Sequence, residues 1–194
     1  MMRKLKFMQL ADFITVGVYT AIYFCVIFAT SMIGVVPILY IFLSIIVALI
    51  GGIPFILFLS KVKRFGMITL MSIIIGVITS LTGYSFLLLL FAIVFGLISD
   101  LLFNTLKVSK ISYILTYTIY NFWMMGYYYP LFINSEKFFE YTRQTNGHEY
   151  ASQLKNFFPS WAFIAIIVST AIAAIIGGII GIKMLQKHFN KAGI

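Results

Sequence analysis

The chain has 194 residues, of which 62% are hydrophobic and 10% charged, and its mean hydropathy is +1.05. A soluble domain of this size needs more charge to cover its surface, so the composition excludes that class and predicts a polytopic membrane protein. The net charge of +9 does not indicate nucleic-acid binding, because the basic residues lie in short clusters between apolar runs.

A spanning helix needs about 20 largely apolar residues. On that basis we predict an all-α bundle of six transmembrane helices in one domain, 1–194, with helices at about 10–30, 38–59, 67–82, 86–103, 112–133 and 159–185. A turn signal, Thr82-Gly83-Tyr84-Ser85, separates the third helix from the fourth. The basic N-terminus resembles a signal peptide, but the apolar run after it is too long, so we read that run as the first helix.

The positions of the basic residues predict the orientation of the bundle. Eleven of the 14 lie in alternate segments between or beyond the helices: Arg3, Lys4, Lys6, Lys61, Lys63, Arg64, Lys107, Lys110, Lys183, Lys187 and Lys191. The other three share the outer loop, 134–158, with three glutamates. The positive-inside rule therefore predicts that both termini are cytoplasmic and that this loop faces outward.

Small residues recur every four positions along helix 1, at Gly17, Ala21, Cys25 and Ala29. Small side chains let membrane helices approach closely. The ridge either packs against another helix of the same chain or docks a separate membrane subunit. Cys25 is the single cysteine, so it cannot form an internal disulfide.

Glycine and proline interrupt two of the other helices. Gly51-Gly52-Ile53-Pro54 predicts a kink in helix 2, because proline removes a backbone hydrogen bond. This kink either shapes a cavity or lets helices pack. In helix 6, the glycines at 177, 178 and 181 favour close packing.

The sequence contains few of the groups that catalysis or ion coupling requires. Asp12 and Asp100 fall near the predicted cytoplasmic helix ends, and no charged residue lies near the bilayer centre. An autonomous ion-coupled transporter usually carries such a residue. We find no metal-binding pattern, phosphate loop or nucleophile elbow, so we expect no metal, no cofactor, no catalytic residue and no enzymatic activity.

Aromatic and amide side chains concentrate in the predicted outer half of the membrane. The candidate substrate-binding residues are Tyr40, Tyr84, Asn121, Trp123, Tyr127, Tyr128 and Trp161. Glu136 of the outer loop is also a candidate, which either completes the site, serves as its lid or is a solvated loop carboxylate. Tyr and Trp at this depth also fit an interfacial aromatic belt. Aromatic walls with a few polar groups suit a flat heteroaromatic ligand, such as a pyrimidine, thiazole, pyridine or pterin compound.

Several segments resemble a known family. These are 48–55 (ALIGGIPF), 61–66 (KVKRFG), 95–100 (FGLISD) and the pair Asn121 and Trp123. Together with the six helices and the helix 1 ridge, they look like the substrate-binding S component of energy-coupling-factor (ECF) transporters, and most like the Trep_Strep (MptD-like) family.

The resemblance implies a mechanism and a set of partners. An S component captures a vitamin or related micronutrient outside the cell and docks through helix 1 on an EcfT-like membrane coupling subunit, while two EcfA-like cytoplasmic ATPases drive uptake. The docking positions would be Gly17 and Ala21, or Ala21 and Cys25. Two other functions remain open: an integral membrane enzyme acting on a lipid or isoprenoid, and an assembly partner that binds no ligand.

Overall fold

The computed structural model describes residues 8–81, 86–133, 135–159 and 161–189. Within these ranges the chain is helical, and none of them contains a β-strand. Some of the features predicted above lie outside the described residues. These are the turn 82–85, which includes Tyr84, the basic cluster at 3–6, and Lys191.

The helices follow the apolar runs of the sequence closely, with extra breaks. Their bounds are α1 Leu10–Ser31, α2 Pro37–Tyr40, α3 Leu43–Ile50, α4 Gly52–Lys61, α5 Met67–Leu81, α6 Phe86–Thr105, α7 Lys110–Asn121, α8 Met125–Ile133, α9 Ser135–Asn146, α10 His148–Phe157 and α11 Ala162–Met184. Short 3₁₀ turns follow α1 and α7, and a π-helical turn follows α11.

Three of the described segments are long and apolar enough to cross a membrane: Leu10–Val35, Phe86–Thr105 and Ala162–Lys187. A fourth span results if α3 and α4, which meet at a bend of 46°, are counted as one. The apolar α5 has 15 residues and is therefore roughly 22 Å long, shorter than the bilayer core of about 30 Å.

The longer helices pack side by side in a closed ring. Around it, α1 contacts α5, α5 contacts α6, α6 contacts α7, and α7 contacts α11. The ring closes because α11 packs on α3 and α4, which in turn contact α1. The interior is apolar and aromatic, and Tyr23, Phe55, Tyr117, Tyr120 and Trp123 are completely buried there.

The predicted kink in the second apolar run is present as the bend between α3 and α4, and it serves close packing against α11. A Cβ atom on Gly52 would overlap the backbone of Gly177, and one on Gly181 would overlap the carbonyl of Gly52. Tyr117 of α7 donates its hydroxyl hydrogen bond to the Ala48 carbonyl at 2.8 Å. That bond satisfies a carbonyl near the bend, where a buried orphan group would be costly.

Polar contacts fasten one end of the ring. Asp12 at the start of α1 forms an ion pair with Arg64 at 3.2 Å. The Asp100 carboxylate, late in α6, accepts hydrogen bonds from the Gly66 and Thr69 amides at 2.8 and 3.0 Å, and so caps the start of α5. Because Asp100 joins the α4–α5 loop to the late part of α6, the loop that follows α6 lies at this end as well. The turn after α11 contacts α4, and we call this end the basic end.

Candidate functional site

A cavity of about 590 Å³ lies at the end of the bundle opposite the basic end. Its walls come from the last turn of α1 and the 3₁₀ turn after it, from α2 and α3, and from the start of α6 and the middle of α8. Ser31, Tyr40, Leu43, Leu87 and Tyr127 are among these lining residues. The volume falls within the range of about 300–1,000 Å³ that is usual for small-molecule sites.

The segment predicted as an outer loop forms the roof of this cavity. Its two amphipathic helices, α9 and α10, form a hairpin at Gly147, whose φ of 91° suits glycine. The Tyr150 hydroxyl of α10 donates a hydrogen bond of 2.8 Å to the Gly34 carbonyl in the turn after α1. The hairpin is thereby attached to the rim of the ring.

One face of α9 lines the cavity. Lys137, Phe138, Tyr141, Thr142 and Thr145 line it, with Asn146 at the end of the helix. Their spacing of three to four residues is that of a single helical face. The sequence analysis missed these residues, although the same periodicity was visible in the polar segment.

Tyr127 forms the floor of the cavity. It also lines a much smaller void of about 10 Å³ directly below, between α1, α3 and Met124. Its ring packs edge-on against Trp123, with centroids 5.9 Å apart. The cavity floor is thus continuous with the buried aromatic interior of the bundle.

Beneath this floor lies a layer of buried polar groups. The Asn121 amide nitrogen donates to the Tyr117 carbonyl at 2.8 Å. Its Oδ1, the hydroxyls of Tyr23 and Tyr120, and Nε1 of Trp123 make no hydrogen bond of standard geometry within the described residues. Tyr23 nevertheless interacts electrostatically with Trp123 and Tyr117. The interior is therefore more polar than its aromatic packing alone suggests.

Nearly the whole chain matches a model of one protein family. A family model described as "Hypothetical bacterial integral membrane protein (Trep_Strep)" matches residues 10–191. The chain belongs to this family. No curated protein and no solved structure matches it. Membership of Trep_Strep, together with several long apolar helices, makes it a multi-pass protein of the bacterial cell membrane.

In this Trep_Strep chain, the predicted binding residues divide into three groups. Tyr40 and Tyr127 line the cavity. Asn121, Trp123 and Tyr128 are buried near the cavity but are not part of its lining. Exposed and outside the lining are Glu136 and Trp161. The cavity therefore gathers only part of the predicted set.

Tyr128 has a structural contact that the sequence analysis did not anticipate. Its hydroxyl accepts a hydrogen bond from the Ser44 amide at 3.1 Å and lies 3.1 Å from the Tyr40 carbonyl, to which it donates. These bonds bridge the break between α2 and α3 from the facing helix α8. Tyr128 thus holds the backbone of Tyr40, which itself faces the cavity.

The ridge of small residues on α1 faces away from the ring. Gly17, Ala21, Cys25 and Ala29 are all exposed, and a Cβ atom on Gly17 would meet nothing within 4 Å. Because these four residues are exposed, the ridge does not pack against another helix of the chain within the described residues. In this Trep_Strep protein the ridge is open to lipid or to another protein.

Proposed function

We propose that this chain is the substrate-binding S component of an ECF transporter, which captures a vitamin or related micronutrient at the extracellular face. The observation that carries the proposal is the roofed cavity of about 590 Å³ at the end of the bundle opposite the basic loops. Aromatic and hydroxyl side chains converge on it, as they do in sites that hold small, flat molecules.

The proposed orientation has six spanning segments and cytoplasmic termini. The fifth and sixth segments would be α5 and the interrupted pair α7 and α8, in addition to the three long helices and the bent pair. The lysine-bearing loops that meet at the basic end support this orientation, because the cytoplasmic side of a membrane protein is enriched in Lys and Arg. The cavity then faces outward.

In the proposed site, Tyr40 and Tyr127 contact the ligand directly. Trp123 and Asn121 support the floor, and Tyr128 fixes the position of Tyr40 through its bonds to α2 and α3. Glu136 and Trp161, which lie outside the lining, belong to the proposal as residues that contact a ligand only as it enters, and Tyr84 stays in the proposed set on the sequence alone.

The energy for uptake is proposed to come from other subunits. The chain would dock on an EcfT-like membrane coupling subunit through Gly17, Ala21 and Cys25, and two EcfA-like cytoplasmic ATPases would hydrolyse ATP. The exposure of this ridge supports docking, because small residues permit close approach between helices in lipid.

Gly17→Leu or Ala21→Leu is expected to reduce co-purification with the coupling subunit several-fold, since the larger side chain keeps the helices apart. Ligand binding by the isolated chain should not change, because Gly17 and Ala21 lie on α1 well before Ser31, where the helix reaches the cavity lining. Ala165→Leu, at an exposed position of α11, is the matched control. Complex formation that survives both α1 substitutions would contradict docking through this ridge.

The proposed function is tested by native mass spectrometry of the chain purified gently from its own host. A co-purifying vitamin-like compound, or an ATPase pair with a membrane coupling subunit, is the expected result. A bound lipid or isoprenoid that is converted to product would instead support a membrane enzyme. A protein bare of both ligand and partners in several detergents would support the assembly role.

A further inference from the structure

The walls of the cavity carry charge of only one sign among the residues that line it. Lys137 is the single charged side chain in that lining. The other charged residues of α9, which are Glu136, Glu140 and Arg143, are exposed and lie outside the lining. Their spacing of three and four residues places them on a different face of the helix. Lys137 is itself exposed, at the border of the cavity-lining face of α9. That face of the roof helix therefore carries a cation and neither of the two carboxylates of α9.

Lys137 has no carboxylate partner in the part of the chain that the structure describes. The ion pair recorded there joins Arg64 to Asp12 at the basic end of the bundle. A lysine ammonium carries three hydrogen-bond donors and no acceptor. Its charge is therefore open to an anion that enters the cavity.

Three of the hydroxyls that line the cavity already have acceptors for their protons. Tyr150 donates to the Gly34 carbonyl at 2.8 Å, Thr142 to Phe138 at 2.8 Å, and Thr145 to Tyr141 at 3.0 Å. These bonds orient the roof internally and leave Lys137 as the strongest donor facing the cavity.

We propose that the ligand of this cavity is an organic acid, with a carboxylate or phosphate that pairs with Lys137 and an apolar or aromatic body between Tyr40 and Tyr127. The inference rests on the proposed function and narrows the substrate class. Charge-assisted pairing is stronger than neutral hydrogen bonding.

The experiment compares acids with their uncharged counterparts. The full-length protein is placed in phosphatidylcholine nanodiscs, and its affinity is measured by calorimetry for nicotinate and nicotinamide, orotate and uracil, and pyridoxine 5′-phosphate and pyridoxine. The variants are Lys137→Gln, Lys137→Arg and, as the matched control, Lys155→Gln, whose side chain is exposed on α10 outside the cavity lining.

In at least one pair, the acid is expected to bind ten-fold or more tightly than its neutral counterpart. Lys137→Gln should abolish that preference, while Lys137→Arg and Lys155→Gln should retain it. Tighter binding of the neutral compounds, or an acid preference that survives Lys137→Gln, would overturn the inference and leave the proposed function standing.

Two further measurements cover the cases in which no test compound binds or only a lipid binds. If none of the six compounds binds, the inference is tested by the net charge of the compound that co-purifies in native mass spectrometry. An acid supports the inference, and a neutral or cationic compound overturns it. The absence of any ligand overturns the inference, and it contradicts the proposed function as well if no coupling subunit or ATPase pair co-purifies. Binding of only a lipid phosphate, detected when phosphatidylglycerol is added to the nanodiscs, supports the anion site and contradicts the proposed function.

Discussion

Replacing Gly177 with alanine is expected to destabilise the protein strongly. The new Cβ would overlap the Ala48 carbonyl oxygen and lie 2.8 Å from that of Leu49. Both are backbone atoms, so α11 has to move away from the bend between α3 and α4. Overpacking of this kind costs about 1–3 kcal/mol or more. Thermal unfolding in detergent, followed by size-exclusion chromatography, measures the effect.

Gly17→Ala is the matched control, because it adds the same methyl group to a long apolar helix. Nothing lies within 4 Å of that methyl group, and alanine favours a helix over glycine by up to about 1 kcal/mol. This variant should be as stable as the parent or slightly more so. Equal stability of Gly177→Ala and the parent would show that α11 does not pack backbone to backbone on the bend.

Thr145→Trp is expected to reduce the affinity for the co-purifying compound about ten-fold or more, equivalent to ~1.4 kcal/mol or more of binding free energy. Thr145 lines the cavity from the roof helix, and the indole ring would occupy space that the ligand needs. Because the residue is exposed, the substitution should leave the fold and the thermal stability unchanged.

Gln144→Trp introduces the same indole ring at the preceding position of α9, which is exposed and outside the cavity lining. It should bind the compound as the parent does. Equal loss of affinity in both variants would indicate a general disturbance of α9, and full affinity in Thr145→Trp would place the ligand elsewhere in the protein.

The sequence was most informative about the helices. Long apolar runs predicted the positions of α1, α6 and α11 to within a few residues, because the bilayer requires a fixed length of apolar chain. The Gly-Gly-Ile-Pro segment predicted the bend between α3 and α4. The break between α7 and α8 was not predicted, since no proline or charge marks the 3₁₀ turn Phe122–Met124.

The candidate site was predictable only in part, since its position depends on tertiary packing. Tyr40 and Tyr127 were selected as aromatic residues and do line the cavity. Tyr128 was selected for the same reason, yet its hydroxyl forms hydrogen bonds with the backbone at the break between α2 and α3 and does not line the cavity. Lys137 resembled an ordinary solvated loop residue, and only the packing of α9 over the ring distinguishes it from Glu136.

The position of α11 has a consequence for the order of assembly. It is the last of the described helices in chain order, yet α3, α4 and α7 all pack on it. Until it inserts, the Ser44 hydroxyl lacks its 2.8 Å bond to Thr170, and the backbone at Gly52 has no neighbour to approach. Native contacts between such distant segments form slowly. The nascent protein therefore remains an incomplete bundle in the membrane until α11 leaves the ribosome and docks.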